Sequence, residues 1–286
     1  MSRSRVCRTR SRAPRPSPRS ASPATSTGSP VGADDAVLVQ RDGPVALLSF
    51  NRPERLNAWG SDLSEPLLDA LEALRVDEEV RAVVLTGEGR AFCAGANLKR
   101  PGRGDSPTDP SGMPSRPAWK RRDIDEAGHP VFDALSHYPK PLIAAVNGYA
   151  IGIGCLISVC CSFAVAGEDA VFSLPQVRLD ILPAYGGTLR LARFVGRGHA
   201  LNMAITGRRV GALEALEMGL VAAVHPRERL REEALALARD AARAPGAAAR
   251  LTRESLDLGY DSGLEAAAEA DRLRESALRA ERAYVE

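Results

Sequence analysis

The 27 residues from Pro141 to Gly167 carry no charged side chain. An uncharged stretch of that length either crosses a bilayer or lies inside a protein core. Its internal punctuation decides between the two. Asn147-Gly148 is a turn signal, Gly152 and Gly154 interrupt the apolar run, and Ser158 and Ser162 add polar groups that lipid would not satisfy. The stretch therefore reads as a strand (LIAAVNG), a helix entered through glycines (IGIGCLISVCC) and a second strand (FAVAG). Together with the alternation of strands and helices up to about residue 185, this argues for an α/β core.

The flanking sequence extends that pattern. AVLVQ and VALLSF surround Arg41-Asp42-Gly43-Pro44 and read as a β-hairpin. In SDLSEPLLDALEALRV, Leu63, Leu67, Leu68, Leu71 and Leu74 fall on one helical face, with Ser61 as the expected N-cap. Ala82–Leu85 reads as a buried strand and VFDALSHYPKP as a short helix ending in a turn. From Gly186 onward helices prevail: TLRLARFVG, HALNMAIT, ALEALEMG, then two long Ala/Leu/Arg helices. Their broad apolar stripes imply packing against another subunit as well as the core. The expected organisation is an α/β core over 34–195 and a helical region over 196–286.

Two segments stand outside this pattern. Residues 1–33 are acid-free and rich in Arg, Ser and Pro, with little to bury, and are expected to be a disordered tail. No apolar run follows its basic residues as a secretory leader requires, and its prolines oppose the amphipathic helix of a transit peptide. Residues 100–128 lose the apolar period and read as a long loop, either a lid or an insert. Asp123, Asp125 and Glu126 near its end read as a solvated charge run.

Bulk composition excludes several function classes. The net charge of +2 gives no argument for a nucleic-acid partner. Arginine makes up nearly all of the basic residues, which reads as coding-sequence bias. Cys7, Cys93, Cys155, Cys160 and Cys161 include no CxxC pair, and His129, His137, His199 and His225 are scattered. Neither a disulfide framework nor a metal site is expected, and a reducing cytoplasm fits best.

Four segments carry the chemistry. They are Asn51–Ala58 (NRPERLNA), Gly89–Lys99 (GRAFCAGANLK), Lys140–Cys155 (KPLIAAVNGYAIGIGC) and Ser173–Thr188, which holds SLPQ and LPAYGGT. A thioester enolate or tetrahedral oxyanion needs hydrogen-bond donors aimed at its oxygen, and backbone N–H groups at a helix start supply them. Small residues are needed there so that the thioester reaches the backbone. AGANLK and GIGC each offer small residues opening an apparent helix. GIGC is not a dinucleotide fingerprint, because Ile157 stands where the last glycine belongs.

In their order and spacing these segments resemble the crotonase (enoyl-CoA hydratase/isomerase) superfamily from about residue 36 to the end. The resemblance implies a spiral of ββα units with a C-terminal helical region that trimerises, as a trimer or a dimer of trimers. It implies an acyl-CoA substrate, with coenzyme A as part of that substrate and no separate cofactor. The oxyanion donors would be the amides of Ala96 and Ile153. The CoA channel would be lined by Arg55, Leu56, Ala58, Ala94, Ala96, Asn97, Leu98 and Lys99, with Arg55 paired to CoA phosphates.

The sequence also departs from that family. A hydratase of this type uses two glutamates, and here Leu156 and Gln176 occupy their positions. Neither exchanges a proton near neutral pH, so water addition by that route is closed. An aspartate found in some members is here Ala184. Asp180 stands where the family usually has glycine, and is either a displaced base or a structural residue. Gln176 either orients a water or bonds the acyl group; Tyr185 either donates a proton or packs. Decarboxylation or C–C bond chemistry, hydration or isomerisation with a relocated base, and plain acyl-CoA binding all remain open.

Overall fold

The structure is a computed structural model that describes residues 35–97 and 129–285. Strands β1 (Val37–Asp42) and β2 (Val45–Phe50) form the expected antiparallel hairpin. Helix α1 (Ser61–Val76) follows, then β3 (Ala82–Gly87) and the short β4 (Ala91–Cys93). Past the undescribed stretch come α2 (His129–Ser136), β5 (Leu142–Val146), β6 (Tyr149–Ile151), α3 (Ile153–Cys160), β7 (Phe163–Gly167) and β8 (Val171–Ser173). The remainder is α4 (Gly187–Thr206), β9 (Val210–Gly211), α5 (Ala212–Glu217), β10 (Val224–His225), α6 (Leu230–Arg243), α7 (Gly246–Asp261) and α8 (Leu264–Val285).

Successive strand pairs feed two sheets. The first has the order β1-β2-β3-β5-β7-β10, parallel from β2 onward. The second has the order β4-β6-β8-β9, with β4, β6 and β8 parallel. The pairs β3–β4, β5–β6 and β7–β8 each give one strand to each sheet, which is the spiral of ββα units.

The first sheet is buried on both faces, so its strands alternate between two cores rather than between core and water. Val45, Leu47, Val84, Ile143 and Val165 point to one side, where α6 lays Leu230, Ala234, Ala238 and Ala242 against them. The four-residue spacing of these small side chains lets the helix approach the sheet closely. Leu48, Phe50, Leu85, Ala144 and Ala166 point to the other side, against α1, α3 and the second sheet. There Phe50 meets Trp59 and Phe92 edge-on, at centroid distances of 6.1 and 5.6 Å. Edge-to-face pairs of this kind contribute about 0.5–1.5 kcal/mol beyond their buried area.

Three local expectations are corrected. The N-cap of α1 is Gly60, whose carbonyl accepts from the N–H groups of Leu63 and Ser64, and Ser61 is the first helical residue. AGANLK opens no helix over its described part: Ala96 instead forms a parallel bridge with Trp59. The C-terminal run contains three long helices, because Pro245 separates α6 from α7 and Ser262 and Gly263 separate α7 from α8. TLRLARFVG and HALNMAIT are joined in α4, but Gly196 is non-helical (φ 73°, ψ 159°), so they are two helical pieces meeting at a kink. Among the described residues no helix is long and apolar enough to cross a membrane. The expected tail over 1–33 and the loop over 100–128 lie outside the described residues.

Candidate active site

The site is built around the start of α3. Gly152 precedes the helix at φ 54°, ψ −111°, a conformation that L side chains avoid. Its N–H donates to the Ser173 carbonyl (2.8 Å), fixing the turn to the end of β8. One residue into the helix, Gly154 lies against the end of β4: a Cβ there would sit 2.0 Å from the Cys93 carbonyl oxygen. Glycine is required at this position because α3 and β4 touch backbone to backbone. All eight residues of α3 are buried, so its N-terminal N–H groups lie in a low-dielectric setting.

A second backbone segment runs beside this turn. Ala94 donates to Leu56 (3.0 Å), Trp59 donates to Gly95 (2.7 Å) and Asn97 donates to Trp59 (2.8 Å). Residues 94–97 thus lie alongside 56–59, and Gly95 comes so close to the Ile151 carbonyl that a Cβ would be 3.0 Å from it. The structure therefore places Leu56, Ala58, Ala94, Ala96 and Asn97 on adjoining segments, with the turn that leads into Ile153 beside them. No backbone acceptor is found for the N–H of Ala96 or of Ile153 among the described residues. Two open N–H groups, one on the buried α3 and one on the half-buried 94–97 segment, have the chemistry to hold an oxyanion.

Two asparagines hold the second segment in place. Asn57 is fully buried; its Oδ1 accepts from Arg52 N–H (2.8 Å), and its Nδ2 donates to the carbonyls of Ala91 (2.7 Å) and Glu88 (3.1 Å). Asn147 donates to the carbonyls of Gly87 (2.7 Å) and Gly89 (3.1 Å) and accepts from the Gly87 N–H (3.2 Å). Both therefore fasten the turn between β3 and β4. The motif reading contained both residues without assigning either this role. Partners more than thirty residues away leave no local signal.

The two positions that would carry glutamates are now visible. Leu156 is 1% exposed, and its Cδ2 lies 2.2 Å from where a Cβ on Gly187 would be. It is packed into the space at the start of α4. Gln176 lies on a 3₁₀ turn, Pro175–Leu179, with its amide against Gly152: Nε2 is 3.6 Å from a Cβ built there. Its Oε1 is buried and has no hydrogen-bond partner among the described residues. An orphaned buried amide oxygen costs about 1–3 kcal/mol unless something donates to it, so it marks a place for a ligand or a water.

The other named residues have plainer accounts. Asp180 ends the 3₁₀ turn at φ 54° with its side chain exposed. Aspartate tolerates this left-handed conformation better than most residues, which explains its presence where glycine is usual. Tyr185 (φ 59°) stacks on Phe132 with ring centroids 4.5 Å apart and planes 6° apart. Arg55 is tied to Asp62 through Nη2, while its buried Nε lies 3.9 Å from Glu54 and has no hydrogen-bond partner among the described residues. Leu98, Lys99, Asp123, Asp125 and Glu126 lie outside the described residues. Cys93 and Cys155 are fully buried, and burial pushes each thiol up to about 12. Among the described residues no group of three or more His, Cys, Asp or Glu side chains is placed to hold a metal.

The comparisons with known proteins agree with this geometry. A family model described as enoyl-CoA hydratase/isomerase matches residues 40–282. The chain belongs to that family. It is 37% identical over 232 residues to the 2,3-dehydroadipyl-CoA hydratase of Escherichia coli K12, covering 80% of this chain and 86% of the relative. It is 35% identical to the mitochondrial enoyl-CoA hydratase of Pongo abelii, covering 78% and 72%. Among solved structures, an enoyl-CoA hydratase subunit from Geobacillus kaustophilus superposes with a TM-score of 0.75 at 33% identity, over 86% of this chain and 90% of that one. A monofunctional enoyl-CoA isomerase from M. smegmatis gives 0.67 at 32% identity, over 82% and 98%. The family includes both hydratases and isomerases, so membership alone does not select a reaction.

Proposed function

We propose that this family member stabilises the enolate of an acyl-CoA thioester with the amides of Ala96 and Ile153, and does so without a carboxylate pair. The observation that carries this reading is a contrast within one site. Two backbone donors stand open, whereas the positions expected to move protons hold a buried Leu156 and an uncharged Gln176. Enolate stabilisation supplies much of the barrier reduction in decarboxylation and C–C bond chemistry, each donor contributing about 3 kcal/mol. In a decarboxylation the bond from Cα to the carboxylate breaks and CO₂ departs. The electron pair passes to the thioester oxygen held by the two amides, and water protonates the enolate. Coenzyme A enters as part of the substrate, and no further cofactor is needed.

Hydration or double-bond isomerisation with a base from elsewhere is the second reading. The names of the relatives, hydratases for the most part, favour it. The working form in this proposal is a homotrimer or dimer of trimers. Leu264 and Leu273 on α8 are 86% and 65% exposed in the single chain and would serve as its contacts. The unpaired thiols of Cys93, Cys155, Cys160 and Cys161 fit a reducing cytoplasm.

The test is mass spectrometry of the protein incubated in D₂O with enoyl-, β-keto- and malonyl-type CoA thioesters. Loss of CO₂ or C–C cleavage supports the first reading; water addition or a shifted double bond supports the second. Thioester binding without any conversion sinks both and leaves a binding protein.

A further inference from the structure

Past the C-terminal end of α2 lies a cavity of about 390 Å³ lined by Ser136–Pro139 and by residues of α4, α7 and α8. Five arginines line it against two carboxylates, Glu254 and Asp257. Three of the five are accounted for. Arg253 donates to the carbonyls of Leu135, Ser136, Tyr138 and Cys160, capping the C-terminal ends of α2 and α3. Arg250 bonds Glu254 at 2.7 Å. Arg193 lies over the Tyr260 ring at 5.5 Å and is otherwise engaged.

The remaining two are less fully used. Arg190 has neither a hydrogen bond nor an ion pair among the described residues, although it is half-buried beside the cationic Arg253. Arg274 pairs with Asp271 only at 3.6 Å, too long for a hydrogen bond, and its buried Nη1 has no hydrogen-bond acceptor among the described residues. A buried guanidinium N–H without an acceptor is expensive, and two incompletely used guanidinium groups in one cavity imply a missing anion. A smaller cavity of about 210 Å³ also borders Arg190 and adds apolar walls from Val159, Phe194 and Leu256.

We propose that this cavity is a binding site for a small organic oxyanion, a phosphate or carboxylate group carried on a partly apolar body. Arg190 and Arg274 hold the charged end through their planar N–H forks, and the apolar walls take the rest. The site is separate from the thioester site; Arg253, which lines it, donates to the carbonyl of Cys160 at the end of α3. A bound anion ties α7 and α8 to the core and raises the stability of the whole unit by mass action.

The experiment is a thermal melt of the full chain titrated with inorganic phosphate and, separately, citrate, at ionic strength held constant with sodium chloride. The wild type is expected to show a saturable rise in melting temperature with at least one probe. Arg190→Gln and Arg274→Gln should each weaken the half-saturation about tenfold, the loss of one charge-assisted hydrogen bond. Phosphate acting alone identifies a phosphate ligand; citrate acting alone identifies a carboxylate. A rise that does not saturate, or that both variants retain in full, overturns the proposal. Should a variant fail to fold, ³¹P line broadening of phosphate on the wild type, with citrate as competitor, decides. No broadening together with no saturable melt shift overturns it equally.

Discussion

Replacing Gly154 with alanine tests the backbone contact on which the candidate site is built. In an open helical position this change stabilises a helix by about 1 kcal/mol. Here the new Cβ would fall 2.0 Å from the Cys93 carbonyl oxygen and 2.9 Å from its carbon. Backbone atoms on both sides leave no flexible side chain to give way, so α3 must retreat from β4 by about 1 Å or more. The sign of the stability change therefore reverses, to a loss of about 1–3 kcal/mol. For a domain of this size that lowers the melting temperature by about 2–10 °C. The displacement also carries the Ile153 amide away from its place, and a misplacement of about 1 Å costs about a hundredfold in rate. Gly198→Ala is the control, because a Cβ there meets nothing within 4 Å. Urea melts give the stabilities, and turnover of the thioester found by the D₂O panel gives the rates. If Gly154→Ala is as stable as wild type with an unchanged rate, the contact between α3 and β4 does not position the donor and the reasoning fails.

Three further predictions concern other parts of the same argument. Asn57→Ala removes three hydrogen bonds and places alanine at φ 53°, so urea melts should show a loss of about 3–4 kcal/mol, and a loss below about 1 kcal/mol would contradict the clamp. Gln176→Leu deletes an orphaned polar atom and should leave the melting temperature unchanged or raise it, while turnover falls by about tenfold or more; lower stability with full turnover would show that Gln176 is structural. The buried thiols of Cys93 and Cys155 set an alkaline limit. Their folded values lie near 12 against an ordinary value near 9, so their stabilisation is complete below about pH 9 and is lost as pH rises toward 12. Each contributes a slope of at most about 1.4 kcal/mol per pH unit, which urea melts of the wild type and the Cys93→Ala, Cys155→Ala double variant should resolve. Equal slopes in the two proteins would refute it.

How much of this was legible in the sequence depended on the length of the signal. The uncharged Pro141–Gly167 stretch gave β5, α3 and β7 in the right order, because a run that long has room for punctuation to be read. Strands β4, β6 and β8 have three residues each and β9 two, too few for an alternating pattern, so the second sheet was invisible. The α1 boundary was misassigned by one residue because serine has the stronger capping preference, whereas the extended Gly60 takes the position. Alanine, leucine and arginine continue across Pro245 without a change of composition, and this hid the division into α6 and α7. The motif residues around 55–58, 94–97 and 153 did converge, yet what fixes them was not readable. Leu56 and Asn57 adopt positive φ in succession, and Asn57 reaches Ala91, a partner set only by the folded chain.

The loss of the carboxylate pair is written into the packing and not only into two codons. Leu156 fills a space that exists because residue 187 has no side chain, and the helix α4 starts against it. A carboxylate placed at 156 would be enclosed by apolar neighbours, where desolvation raises its pKa and costs several kcal/mol unless water or a donor accompanies it. Restoring one glutamate would therefore not restore an acid, because the surroundings that would tune it have closed. Gln176 differs: its amide lies at the entrance of α3 with an oxygen that nothing among the described residues satisfies. A site that had merely decayed would be expected to fill both positions, since each buried unpaired polar atom destabilises the fold. One position is filled and the other is kept polar and open beside two free backbone donors. That asymmetry supports the proposed reading, in which the site binds an acyl-thioester and orients its polar end without passing a proton between two carboxylates.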